Sequence, residues 1–315
     1  MDQALTTAYN AELVILSIAI AILASYTTLD LAGRVNATQN RAQIGWIVSG
    51  ATAMGVGIWS MHFIGMLAFR LPVRVAYDFV TVLGSMVPAI VASGLALFLV
   101  SRPTLGWLQL LGGSLLMGLG IATMHYVGMA AMQTSAMMHY TPWMVGLSIL
   151  VAIAVSFTGL FLAFQLREET TLHQTWKKPL AAIVMGTAIP TMHYTGMAAA
   201  HFTADTNTVL AATVQPPDNI VSLVAAVSIG TLIVSGLALL TAFFDRRLSA
   251  QVIYAQVLQE SQESLQAILE GVKVGVLVLG DDTEVQISNH AALELLNFSS
   301  SKAVQKFWNQ ASEKD

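Results

Sequence analysis

Seven long apolar stretches, separated by short polar ones, fill the chain up to about residue 245, at roughly 11–31, 45–69, 79–101, 107–129, 143–166, 179–200 and 219–244. Each approaches or exceeds the roughly 20 residues that a helix needs to cross a hydrocarbon core. The pattern therefore predicts seven transmembrane helices. The first stretch carries Glu12 at its start, lacks a basic segment before it and is followed by six more, so it reads as a retained helix and not as a cleaved signal. Beyond residue 245 the periodicity turns amphipathic, with apolar residues at Leu248, Val252, Ala255, Leu258, Leu265, Ile268 and Leu269. This predicts a signalling helix over 246–268, and two copies of it would form a short coiled coil in a homodimer.

Basic residues are retained on the cytoplasmic side of short loops, which orients the bundle. With the N-terminus outside, the cytoplasmic set is Arg34, Arg41, Arg102, Arg167, Lys177, Lys178, Arg246 and Arg247, against only Arg70 and Arg74 on the other face. The predicted orientation is N-terminus out and C-terminus in.

Composition agrees with this division. Of 315 residues only 10% are charged, against about 25% in a soluble domain. Residues 1–245 hold 17 of the charges and residues 246–315 hold 15, so lipid surrounds the first part and water the last. The absence of cysteine removes disulfides, iron–sulfur clusters, thiolate zinc sites and a cysteine nucleophile. A net charge of −4 gives no reason to expect nucleic acid as a partner. No G-x-S-x-G, H-E-x-x-H or Walker loop occurs, and no carboxylate lies where a proton pump would need it, so the chain reads as a non-enzyme.

A thirteen-residue element recurs in the even-numbered spans: MGVGIWSMHFIGM at 54–66, MGLGIATMHYVGM at 117–129 and MGTAIPTMHYTGM at 185–197. Seven positions are identical in all three copies. A weaker echo joins Ser93-Gly94-Leu95-Ala96-Leu97 to Ser235-Gly236-Leu237-Ala238-Leu239. The hydrophobic part is thus built from repeated two-helix units plus one extra helix. All even spans run outward in the predicted orientation, so His62, His125 and His193 share one layer near the outer face.

At about 100° per residue, the methionines one before (Met61, Met124, Met192), four after (Met66, Met129, Met197) and eight before (Met54, Met117, Met185) each histidine fall in one sector with it. Gly65, Gly128 and Gly196, like Gly55, Gly118 and Gly186, lie in that sector and let helices approach closely. A single buried methionine is usually filler and a single histidine often a structural hydrogen-bonding group. Three equivalent histidines with methionines on the same face point instead to a metal site: His62, His125 and His193 with Met61, Met66, Met124, Met129, Met192 and Met197 as ligands. Imidazole with thioether is a soft to borderline set that suits copper, above all Cu(I), and disfavours calcium, magnesium and manganese. Haem held by His/His or His/Met pairs is the alternative cofactor. A copper carrier using the methionines as a ladder is the alternative role, although no ligands continue below Met54, Met117 and Met185.

Other polar and aromatic residues read more plainly. Phe63, Tyr126 and Tyr194 follow the histidines and serve interfacial packing; Trp59 and Trp176 are packing or interface anchors. His139, Met137, Met138 and His201 read as loop residues, and Asp30 has Arg34 as its i,i+4 partner.

The triple Met-His-(Phe/Tyr)-x-Gly-Met element in seven spans resembles the MHYT domain family of bacterial integral-membrane sensors, over about residues 8–245. Phe63 departs from the namesake tyrosine and removes a hydroxyl but no ligand. The resemblance implies a multi-pass protein of the bacterial inner membrane that binds copper near the periplasmic face. It also implies that the protein senses oxygen, nitric oxide or carbon monoxide and signals to a cytoplasmic output module such as a cyclic-di-GMP enzyme or histidine kinase. Residues from about 264 on resemble the opening of a PAS domain, assigned as a partial PAS-like segment over 269–315. That likeness implies a first strand at Val274–Leu279, a turn at Gly280-Asp281-Asp282, a second strand at Glu284–Ser288 and a helix at Asn289–Asn297, with residues 298–315 reading as truncated. The expected fold is an all-α seven-helix membrane bundle followed by this α/β segment.

Overall fold

The structure is a computed structural model and describes residues 3–167, 176–204, 220–279 and 285–312. Two compact units divide the chain at Phe243/Phe244.

The first unit holds seven helices of 22 residues or more: α1 (Ala11–Ala37), α2 (Asn40–Ala68), α3 (Phe79–Val100), α4 (Trp107–Ala130), α5 (Pro142–Leu166), α6 (Lys177–Ala198) and the start of α7 (Ile220–Gly271). Among the described residues, six are long and apolar enough to cross a membrane: α1 to α5 and the Val224–Leu269 part of α7. Six such helices stand where seven were expected, and α6 is the one that falls short in hydropathy. In α6, Thr187, Pro190, Thr191, His193, Thr195 and two glycines dilute the apolar residues. Outward faces carry exposed apolar side chains such as Val80, Val91, Leu108 and Leu150, as a lipid-facing surface requires.

The first six helices close a ring in which each packs on the next and α6 packs on α1. A threefold plan underlies it. Each odd helix is preceded by a short strand and each even helix is followed by one, and the two pair antiparallel. β2 (Ala8–Tyr9) pairs with β3 (Phe69–Arg70), β4 (Val75–Tyr77) with β5 (Met132–Thr134), and β6 (Met137–Tyr140) with β7 (Ala200–Ala204). A first strand, β1 (Gln3–Ala4), adds to β7. At each helix-to-strand junction one backbone bond ties the two ends: Asn10 N to Ala68 O at 2.8 Å, Asp78 N to Ala131 O at 2.9 Å, and Thr141 N to Ala199 O at 2.9 Å. Asn10 and Asp78 also cap α1 and α3 through their side chains, satisfying amides that a helix start leaves open.

Helix α7 stands outside the ring. Its Ala238 and Ala242 pack with Leu31 of α1 and Ala53 of α2, and Arg34 Nη2 donates to Ala242 O at 3.1 Å.

The second unit contains the hairpin β8 (Leu277–Leu279) and β9 (Val285–Ser288) and the helices α8 (His290–Leu296) and α9 (Ser301–Ser312). The turn expected at 280–282 lies outside the described residues. The first strand is shorter than expected because one side chain takes over its start. Asn289 accepts from Val276 N at 2.7 Å and donates to Leu269 O and Val274 O at 2.9 Å, while also capping α8 through Ala292 N. Asn297 ends α8 in the left-handed region at φ 57°, a conformation asparagine tolerates. Where the sequence read as truncated, residues 301–312 are helical.

Candidate metal centre

The three even helices bring their histidines together on the ring axis. His62 and His125 are fully buried and His193 is 1% exposed. Their Nδ1 atoms converge: His62 to His193 at 2.9 Å, His62 to His125 at 3.2 Å, His125 to His193 at 3.3 Å. The rings are mutually edge-on, with centroids 4.9 to 5.3 Å apart.

This triangle cannot satisfy itself by hydrogen bonds. The Nδ1 of a neutral imidazole carries either a proton or a lone pair, never both. Three atoms share two roles, so at least one of the three contacts pairs donor with donor or acceptor with acceptor. A cation in the centre would remove the conflict at Nδ1, because all three rings would present lone pairs inward and carry their protons on Nε2, which lies buried against glycine with no hydrogen-bond partner among the described residues. The spacing suits this. Three nitrogens bound in one plane at about 2.0–2.1 Å stand about 3.5 Å apart, a few tenths beyond what is observed. Among the described residues, these histidines are the group whose ligand atoms lie close enough to hold a metal ion. The triad is therefore compatible with metal binding.

Glycine makes the convergence possible. A Cβ on Gly65 would collide with Nε2 of His193, one on Gly128 with Nε2 of His62, and one on Gly196 with Nε2 of His125. Each imidazole thus lies on the bare backbone of the next helix around the axis. The glycines seven residues before the histidines do the same for the outer helices: Gly55 meets the Ile90 backbone, Gly118 that of Ile153, and Gly186 that of Ile22.

All nine methionines of the repeat are buried. Met66, Met129 and Met197 form a cluster with Val73, Met132 and Phe202 toward the strand-capped end. Met61, Met124 and Met192 join Met54, Met117 and Met185 in the main core. They thus lie at different depths along the axis, on either side of the histidines, as residues eight before, one before and four after them on a helix must.

The aromatic position after each histidine does more than fill space. Ser17, Ser85 and Ser148 occupy equivalent places on α1, α3 and α5, each donating to the carbonyl three residues back. The Tyr126 hydroxyl donates to Ser148 Oγ at 2.7 Å and that of Tyr194 to Ser17 Oγ at 3.3 Å. Sequence reading missed these serines; their 63- and 68-residue spacing, matching that of the strands' Tyr9, Tyr77 and Tyr140, was the available signal. It also missed a buried bond between α2 and α7, where Ser60 Oγ lies 2.6 Å from Thr231 Oγ1. Trp59 donates its indole N–H to Val82 O at 2.9 Å, and Trp176 is exposed at the start of α6. His139 and His201 face each other across β6 and β7, and His201 Nε2 lies 2.9 Å from Thr141 Oγ1.

Membrane helices repeated around an axis, with one histidine per repeat meeting at its centre, define a multi-pass membrane protein with a buried trigonal nitrogen site. The chain belongs to the MHYT family, described as the bacterial signalling protein N-terminal repeat, which matches residues 55–113, 118–174 and 186–255. It is similar to the bifunctional diguanylate cyclase/cyclic di-GMP phosphodiesterase MucR of Pseudomonas aeruginosa, 44% identical over 84% of this chain and 38% of MucR. It is also similar to the signaling protein YkoW of Bacillus subtilis, 32% identical over 92% of this chain and 35% of that protein. The cyclic di-GMP phosphodiesterase NbdA of P. aeruginosa is 40% identical over 61% of this chain and 24% of its own length. The chain thus spans between a quarter and two fifths of the length of these relatives. No solved structure matches it. It is a membrane signalling protein whose relatives are linked to cyclic-di-GMP signalling.

Proposed function

We propose that the chain is the sensing part of a signalling protein of the bacterial inner membrane, with copper held by His62, His125 and His193. The observation that carries this reading is the frustrated Nδ1 triangle, which a soft or borderline cation relieves. Met61, Met124 and Met192 on one side and Met66, Met129 and Met197 on the other supply thioethers and no carboxylate, which favours Cu(I) over zinc or hard cations. When bound, Cu(I) would supply an open coordination position for oxygen, nitric oxide or carbon monoxide. Haem fits less well, because each imidazole already lies on the glycine of the next helix and a macrocycle would force the helices apart. A copper carrier would need ligands beyond Met54, Met117 and Met185, and the sequence offers none.

In this reading all seven helices cross the bilayer with the N-terminus periplasmic, as the loop lysines and arginines favour. α6 crosses despite its polarity because α1 and α5 flank it and its threonines bond to their own helix. The route outward runs through α2, the site helix that α7 holds. Ser60 is two residues from His62 and bonded to Thr231, so a shift of α2 acts directly on α7. The exposed apolar residues Leu248, Val252, Leu258, Leu265 and Ile268 then suit pairing in a homodimer, and the segment from 269 serves as the PAS-like link to a cytoplasmic output module.

The test is metal analysis of the protein purified in detergent, with an absorption spectrum. Copper should co-purify, no Soret band should appear, and replacing His62, His125 and His193 together by alanine should bring copper to background. Unchanged copper in that variant would overturn the proposal.

A further inference from the structure

A second set of polar side chains repeats around the same axis, deeper in the bundle. Ser25, Ser93 and Ser156 lie eight residues after Ser17, Ser85 and Ser148, so they sit two helical turns further in on α1, α3 and α5. Their exposures are 0%, 1% and 2%, and none of the three hydroxyls has a hydrogen-bond partner among the described residues. Ser228 and Ser235 of α7 share that state, whereas Ser114 bonds back to Leu110 O at 2.6 Å, the ordinary arrangement for a helical serine.

Contacts with the even helices fix which side of α1 and α3 these serines occupy. On α3, Ile90 lies on Gly55 of α2 and Ala92 on Gly120 of α4; on α1, Ile22 lies on Gly186 of α6 and Ala24 on Gly57 of α2. The two contact directions differ by about 200° around the helix, and the serine falls between them on the side facing the axis. Residues four before the serines (Ala21, Ala89, Ala152) and four after (Leu29, Leu97, Leu160) are buried in the same core, so the stripe is continuous.

We propose that Ser25, Ser93 and Ser156 form an internal binding site for water on the pseudo-threefold axis, two turns inward of the histidine triad. Three neutral hydroxyls, each able to donate and accept, match a small neutral molecule that does both, and buried polar groups in a membrane core are stable only when so satisfied. Side chains on three helices bonded through water can exchange partners as the helices slide, so the layer eases relative motion at the crossing of the six helices. The site does not depend on the metal reading and stands or falls separately.

Radiolytic hydroxyl labelling of the full chain in lipid nanodiscs tests it, because bound water generates the radical beside the side chains that record it. The Met185 methyl stands 3.4 Å from where a Cβ on Gly159 would lie, one turn from Ser156, so Met185 is the reporter. In the wild-type protein Met185 should oxidise at least about threefold faster than in the variant S25A/S93A/S156A, and the variant should melt about 3–6 °C lower. Equal labelling, or a melting point that stays or rises as it does when an unpaired hydroxyl is simply removed, overturns the proposal. So does a wild-type melting point that climbs with sodium or potassium, which assigns the site to a cation. If the triple variant fails to assemble, Ser93→Ala alone decides on the same readouts.

Discussion

The wedge between α4 and α5 and the wedge between α2 and α3 follow one plan, yet they are held differently. In the first, Tyr126 bonds to Ser148 across the helices, and Tyr140 of the capping strand lies edge-on to Tyr126 at 5.7 Å. In the second, Phe63 has no hydroxyl to give to Ser85, and Tyr77 lies edge-on to Phe63 at 6.3 Å. The cross-helix bond comes instead from Trp59, one turn before Phe63, whose Nε1 donates to Val82 O, and the indole packs on Phe63 at 5.2 Å. The copy that deviates is also the copy gripped by α7 through Ser60 and Thr231. In the other two copies the residue at that position, Thr123 or Thr191, is exposed and bonds to its own helix. The histidine layer keeps its symmetry while one helix has been refitted for a partner that the others lack.

The largest expected effect comes from breaking what the wedges share. Gly128→Ala and Gly65→Ala each place a methyl where an imidazole nitrogen lies, so both should cost about 2–4 kcal/mol and lower metal content together. Thermal melts and metal analysis of the two variants check this. If only one of them lost metal, the equivalence of the three copies at the site would be wrong.

A smaller effect should separate the wedges. Tyr126→Phe should cost about 1 kcal/mol and Trp59→Phe a similar amount, because each removes one cross-helix bond while Ser148 and Val82 O keep their partners on their own helices. Phe63→Tyr should instead gain about 0.5–1 kcal/mol by restoring the hydroxyl opposite Ser85. A loss for Phe63→Tyr in a melting series would mean that Trp59 has closed that space, and that the refitting extends beyond one bond.

How much of this was legible beforehand depends on which residues carried it. Periodicity of apolar residues and the thirteen-residue element were enough for the helices, the shared histidine layer and the need for glycine beside it. The ring closure was not legible. α1 and α7 both carry serine-containing apolar sequences like that of α3, and the repeat spacing alone leaves either as the partner of α6. The packing of Ile22 on Gly186 and the bond of Ser17 to Tyr194 decide for α1, and these are contacts between residues about 165 apart or more. The strand caps escaped notice because two- and three-residue strands have no periodicity to detect. The start of β8 was misplaced because one side chain, Asn289, replaced a ladder.

The smallest effect lies at the strand caps and concerns alkali. Burial, then the neighbouring tyrosine, pushes Tyr9 and Tyr140 up to about 12; Tyr77 is also raised, by burial alone, since Phe63 beside it cannot ionise. A folded-state value above the unfolded one of about 10 favours the neutral phenol in the folded protein. The stability this contributes is complete below about pH 10, declines as pH rises toward 12 and is gone beyond it. Unfolding midpoints measured between pH 9 and 12 should therefore fall, and the fall should be shallower in the double variant Tyr9→Phe/Tyr140→Phe. Tyr126→Phe, which leaves Tyr140 with a neighbour like that of Tyr77, should lower the pH at which Tyr140 ionises, as read by absorbance at about 295 nm. An unaltered titration in that variant would show that the second tyrosine contributes nothing, and that the two wedges differ at the hydroxyl bond to serine and not at the cap.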